Sequence, residues 1–80
     1  MGSFVKYHAD TDVLYVRADD SEKPVRSDTS DDSRIIDYGE NGEVIAVEFI
    51  GASDGIDLAG LPAPIEKLVY DADLGLPIFA

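Results

Sequence analysis

The sequence predicts an α+β fold: a small antiparallel sheet of four or five strands built from hairpins, with one C-terminal helix packed on one face. Three observations predict it. Aromatic and β-branched residues gather in short runs at 4–8, 13–17 and 34–50. The last run is split by Gly39-Glu40-Asn41-Gly42, a turn-forming tetrapeptide. Beyond it, Leu61, Ile65, Leu68 and Ala72 recur at helical spacing, so one stripe of that segment can lie on a sheet. At 80 residues the chain reads as a single domain, 1–80, near the lower end of what folds unaided. So thin a margin makes oligomerisation or partner binding an expected source of further burial.

Strands are expected over 4–8 and 13–17, joined by Ala9-Asp10-Thr11-Asp12, whose short polar side chains can bond nearby backbone N–H groups and bend the chain. Val5 and Tyr7 share one face of the first strand. Leu14 and Val16 share one face of the second, with Val13 and Tyr15 opposite. The polar stretch 19–32 admits a short edge strand around Val25-Arg26-Ser27, Pro24 being confined to its start or open side, or else a mobile loop. In 34–50 two strands flank the turn, where Asn41-Gly42 tolerates the positive φ angles of a tight hairpin. Ile45, Val47 and Phe49 then face one way, and Val44, Ala46 and Glu48 the other. Glu48 in mid-strand makes that second face wet or partner-facing. Residues 51–60 read as loop. Pro62-Ala63-Pro64 suits a first helical turn, where a missing N–H costs nothing, and Gly75 and Pro77 end the helix. The tail Leu74-Gly75-Leu76-Pro77-Ile78-Phe79-Ala80 is unusually apolar for a chain end.

Charge narrows the functional classes. Seventeen Asp and Glu stand against six Lys and Arg, a formal net charge of −11. Phosphate backbones and anionic membrane surfaces depend on basic groups for affinity, so neither nucleic acid nor membrane is an expected partner. The same field speeds encounter with a basic protein, although it also serves to keep a small domain soluble. Cysteine is absent, which excludes disulfides and thiolate zinc sites. No signal peptide or membrane-length apolar run is visible, and the expected location is the cytoplasm.

The second strand "DVLYVR" and the later "IIDYGENGEVIAVEFIGAS" resemble a family of small bacterial proteins catalogued as domain of unknown function 2283, over roughly residues 4–60. Asp12, Leu14 and Tyr15 fit an Asp-to-Leu-Tyr second strand. Asp37, Tyr38, Gly42 and Glu48 fit an Asp-Tyr-Asp-x-x-Gly turn that leads into a Gly-Ile-Glu-like strand. The chain departs from the pattern at His8 and Gly39, where the family has Asp, and at Ala46, where it often has Gly. The resemblance implies a compact β-rich module with no catalytic residues to carry over. It also implies an antitoxin-like role, since some members are suspected partners of small toxins.

Candidate sites are few. His8, Asp10 and Asp12, each two residues apart, would share one face of a straight strand, but the chain must reverse between His8 and Val13 and so scatters them. Asp28, Ser30 and Asp32 match the first positions of a calcium loop, while Ser33 and Gly39 occupy the positions where glycine and a bidentate carboxylate are needed. Asp71, Asp73 and Gly75 start another such loop that the chain is too short to finish. No nucleophile–base pairing and no phosphate-cradling glycine motif is present, so neither enzyme activity nor a cofactor is expected. Tyr15, Tyr38, Glu48, Ile78 and Phe79 are the candidate partner-binding residues. The tyrosines serve either as interface anchors or in ordinary cross-strand packing; the tail is either a lid on its own core or an insert into another chain. The leading expectation is a non-enzymatic acidic interaction module that meets a basic protein. The alternatives are a self-associating structural domain (a homodimer), or a weak divalent-ion binder through Asp28, Asp31 and Asp32.

Overall fold

The computed structural model describes residues 2–19 and 22–79. Its main sheet holds β1 (Phe4–His8), β2 (Val13–Arg17), β3 (Arg26–Asp31), β4 (Arg34–Tyr38) and β5 (Val44–Ile50). They are ordered β1-β2-β5-β4-β3, and every neighbouring pair is antiparallel. A 3₁₀ turn, Ala52–Asp54, follows. After it come the two-residue strand β6 (Ile56–Asp57), the helix α1 (Ala63–Ala72) and the two-residue strand β7 (Ile78–Phe79). The expected hairpin sheet with one helix against it is the observed architecture.

Strand alternation sorts the side chains. One cross-strand row runs Val5, Val16, Val47, Ile36, and the next runs Tyr7, Leu14, Phe49, Arg34. These rows face inward: Leu14, Val16, Val47 and Phe49 are buried in one cluster with Ala52, Ile56, Leu58, Ile65 and Val69. On α1 the buried residues are Ile65 and Val69, while Leu61 and Leu68 pack beside them half-covered. Of the expected stripe, Ile65 and Leu68 face the core from the helix, Leu61 packs there from the turn before it, Ala72 is not part of the core cluster, and Val69 is added. Rows facing outward run Lys6, Tyr15, Glu48, Ile35 and Phe4, Arg17, Ala46, Asp37.

Four details differ from the sequence reading. The edge strand extends to Asp31, so 26–31 is strand and not loop. Asp31 pairs with Arg34 across a two-residue turn, and a register shift between Asp28 and Asp31 bulges the strand. Carboxylates and a bulge on an edge strand discourage pairing with another chain. The β4–β5 turn is centred one residue earlier than Asn41-Gly42: the Gly42 N–H donates to Gly39 O at 3.0 Å, and Gly42 alone takes the left-handed conformation, φ 81°. That is a wider loop, which a glycine completes in the αL position. An extra residue on β5, between the Asp37–Ala46 and Tyr38–Val44 pairs, absorbs the mismatch.

The third difference is that 51–60 is not plain loop. Ala52, Ile56 and Leu58 are buried, and β6 pairs in parallel with β7, with Ile56 N–H donating to Pro77 O and Leu58 N–H to Phe79 O, both at 2.8 Å. The apolar tail therefore folds back on its own chain. Fourth, α1 stops before Gly75: Asp73 takes the left-handed cap position, φ 50°, and its N–H bonds to Tyr70 O. Aspartate tolerates αL because its short side chain can bond locally.

Replacing Leu14, fully buried, with Ala is expected to lower unfolding free energy by about 2–5 kcal/mol. Ile50→Ala on the uncovered face should change it by no more than about 0.5 kcal/mol. Urea denaturation of the two variants checks the contrast.

Candidate interaction surfaces

Among the five candidate partner residues, the structure brings two together. Tyr15 lies directly opposite Glu48 on the outer face of the sheet. The Phe4 ring tilts against Tyr15, with centroids 5.6 Å apart, and Arg17 Nη1 donates to the Tyr15 hydroxyl at 3.0 Å. Tyr15 thus has packing partners and still borders solvent. Tyr38 stands apart at the end of β4, with the Arg26 guanidinium 4.0 Å from its ring centroid. Ile78 packs against the core from β7; Phe79, 56% exposed, lays its ring over Gly55. Those last three join neither Tyr15 nor one another in a single patch with Glu48.

The His8, Asp10, Asp12 series falls at a bend. His8 ends β1 opposite Val13 and is exposed. Asp12 sits in the left-handed region, φ 57°, and its carboxylate turns back into the fold. Oδ1 accepts from the Tyr7 hydroxyl at 2.6 Å and from Ser53 N–H at 2.9 Å, while Oδ2 accepts from Ser53 Oγ at 2.6 Å. The Asp12 carbonyl takes the Ala52 N–H as well. One residue therefore ties the β1–β2 bend to the turn after β5. Its carboxyl is held below the ordinary carboxylate range by the Ser53 and Tyr7 bonds, and the same contact raises Tyr7.

The calcium-loop positions are occupied otherwise. Asp28 Oδ1 accepts from Ser30 N–H at 2.9 Å. Asp31 Oδ1 accepts from both Ser33 N–H and Ser33 Oγ at 2.8 Å. These bonds shape the bulge and turn of β3–β4, and they lower both carboxyls. Among the described residues, no group of three or more His, Cys, Asp or Glu is placed to hold a metal ion.

A concave surface lies at the other end of β2 and β5, where the sequence offered no candidate. It is an open hollow of about 630 Å³ lined by Ala18, Val44, Ile45, Leu61, Pro62 and Pro64, with Asp19, Glu22 and Glu43 also contributing. Glu22 and Glu43 meet beside Gly39: a β-carbon there would lie 2.7 Å from Glu43 Oε1 and closer still to Glu22 Oε1. Gly39 is thus the residue that makes room for both. Each carboxylate also has a backbone partner, the Glu40 N–H for Glu22 and the Asn41 N–H, at 3.0 Å, for Glu43. Desolvation, the bond to Glu43 and the repulsion of its charge push the Glu22 carboxyl up, with Asp19 adding to the effect. Glu22 comes from the polar stretch before β3 and Glu43 from the β4–β5 turn, so no local spacing could have linked them.

These features define a small antiparallel-sheet module with one helix-covered face and an acidic-rimmed hollow. The chain belongs to the family described as protein of unknown function (DUF2283), whose model matches residues 5–53, that is, β1 through the 3₁₀ turn. Among curated proteins and solved structures nothing matches it. No helix among the described residues is long and apolar enough to cross a membrane.

Asp12 and Glu22 should move stability with pH in opposite senses. A lowered carboxyl stabilises the fold above the unfolded range and loses that contribution as pH falls through its folded value. A raised one favours the fold at low pH and withdraws that support as pH climbs through its folded value. Thermal melts of Asp12→Ala should therefore show a lower Tm at neutral pH and a shallower acid limb, whereas Glu22→Gln should raise the neutral Tm. A Glu22→Gln melt below the parent at neutral pH would contradict the repulsive pairing.

Proposed function

We propose that this chain is a non-enzymatic, acidic protein-interaction module whose partner is a basic protein. The observation that carries the reading is how the few cations are used. Arg17 donates to the Tyr15 hydroxyl and to the Asp19 and Glu22 carbonyls. Arg26 covers the Tyr38 ring, and Arg34 donates to the Asp57 and Ala59 carbonyls at 2.9 and 2.8 Å. Three of the six basic side chains are thereby committed mainly to backbone, hydroxyl or aromatic partners and not to carboxylates, within a formal net charge of −11 that counts all six. A field of that sign raises the encounter rate with cationic surfaces and repels phosphate-rich ones. An antitoxin-like role is one form of this reading, the small toxin being the basic partner.

The outer sheet face supports a second reading, self-association. Phe4 and Ile50 there are 42% and 41% exposed, although Ala46 on the same face is buried. Two copies facing each other would bring carboxylates such as Glu48 and Asp37 into one interface, so any such dimer would be favoured by salt, the reverse of a basic-partner complex.

Ionic strength separates the two. Tagged chain in lysate of its own host should retain a protein of high isoelectric point at low salt and release it at high salt. An empty eluate, or an acidic partner that survives high salt, contradicts the leading reading. Light scattering that shows a dimer strengthening with salt would favour the second.

A further inference from the structure

The hollow between Glu43 and the start of α1 has a shape and a charge that select an occupant. Its floor is apolar, formed by Ala18, Val44, Ile45 and Leu61, and no lysine or arginine lines it. Its volume falls within the range of ligand sites and exceeds what one side chain fills. A smaller depression nearby, about 220 Å³, contains Lys67 and Asp71, which already neutralise each other at 2.7 Å. Among the described residues that line the larger hollow there is no lysine or arginine.

Two carboxylates placed side by side are accommodated by a shared proton or by a cation between them. Here each of Glu22 and Glu43 takes a backbone N–H, and Gly39 leaves the space in which the two carboxylates meet. The wall opposite does not invite an anion. Pro62 caps the helix and Pro64 lies in its first turn, so N–H groups that would otherwise face an anion are missing there.

We infer that this hollow seats a lysine or arginine side chain of a protein partner, its cationic head between the Glu22 and Glu43 carboxylates and the residues flanking it on Val44, Ile45 and Leu61. The inference rests on the basic-partner reading and adds the place where contact is made. A guanidinium can fork across two carboxylates, and the apolar floor distinguishes this seat from the many exposed acids elsewhere.

The test is titration of the isotopically labelled full chain with a blocked Leu-Arg-Leu peptide and with Leu-Gln-Leu, followed by amide chemical shifts. The arginine peptide should shift Ala18, Val44, Ile45 and Leu61 saturably, and the glutamine peptide should not. The double variant E22Q/E43Q, whose folded state the same spectra verify, should weaken binding about tenfold. D10N/D32N removes equal charge from exposed turns and should leave affinity within about twofold. Equal weakening by both double variants, or shifts confined to the outer sheet face, would overturn the seat and leave the basic-partner reading standing. No response to the arginine peptide, together with an empty low-salt eluate, would overturn both.

Discussion

The structure depends on burying the inner face of β5. Val47 and Phe49 lie at the centre of the five-stranded sheet, flanked by Leu14 and Val16 of β2 and in one buried cluster with Ile65 and Val69 of α1, which lies over β1 and β2. A sheet this small has one apolar face to bury and only one helix to cover it, so the short strands β6 and β7 complete the cover with Ile56 and Ile78. In a chain of 80 residues each of these side chains represents a large share of the stability. The opposite face of β5 can carry Glu48, half-buried opposite Tyr15, because Val47 and Phe49 take the packing demand on the inner face.

That one-sided core also fixes where charge can go. Side chains on the outer rows, the edge strand and the turns face water, and there the sequence places its acid. Carboxylates near backbone N–H groups act as local braces: Asp12 across the β1–β2 bend, Asp28 and Asp31 along the β3 bulge and turn. Arg34 braces from the inner side, reaching from β4 to the carbonyls of Asp57 at the end of β6 and Ala59 beyond it, and so steadying the segment that leads to Gly60, Leu61 and the hollow. Its buried Nε has no hydrogen-bond partner, and the Asp31 carboxylate 3.7 Å away supplies only an electrostatic one.

Much of the fold was legible in the sequence because alternation survives wherever one face is buried and the other wet. Val5, Tyr7, Leu14, Val16, Val47 and Phe49 all lie on the face that period-two reading assigns them. Elements too short to show a period were invisible: β6 and β7 have two residues each, and their pairing joins segments far apart in sequence. The end of α1 was misplaced because Gly75 and Pro77 are stronger local stop signals than Asp73, which nevertheless adopts the left-handed cap first. Tyr15 and Glu48 were legible as surface residues, but their direct opposition was not, since it is a matter of register. The hollow escaped it altogether. Glu22 and Glu43 are brought together by the closure of the sheet, and the sole local sign was a glycine, Gly39, beside which the two carboxylates meet.

Amide hydrogen exchange tests the central role of β5 most directly. Its amides, paired on both sides and covered on one face, should exchange together with those of β2 at the slowest rate in the molecule, set by global unfolding, while β3 and β7 exchange through local opening. Exchange in β5 as fast as in the edge strand β3 would contradict the account, since the core, the outward placement of the acid and the hollow at the end of β5 all assume that this strand is the last to open.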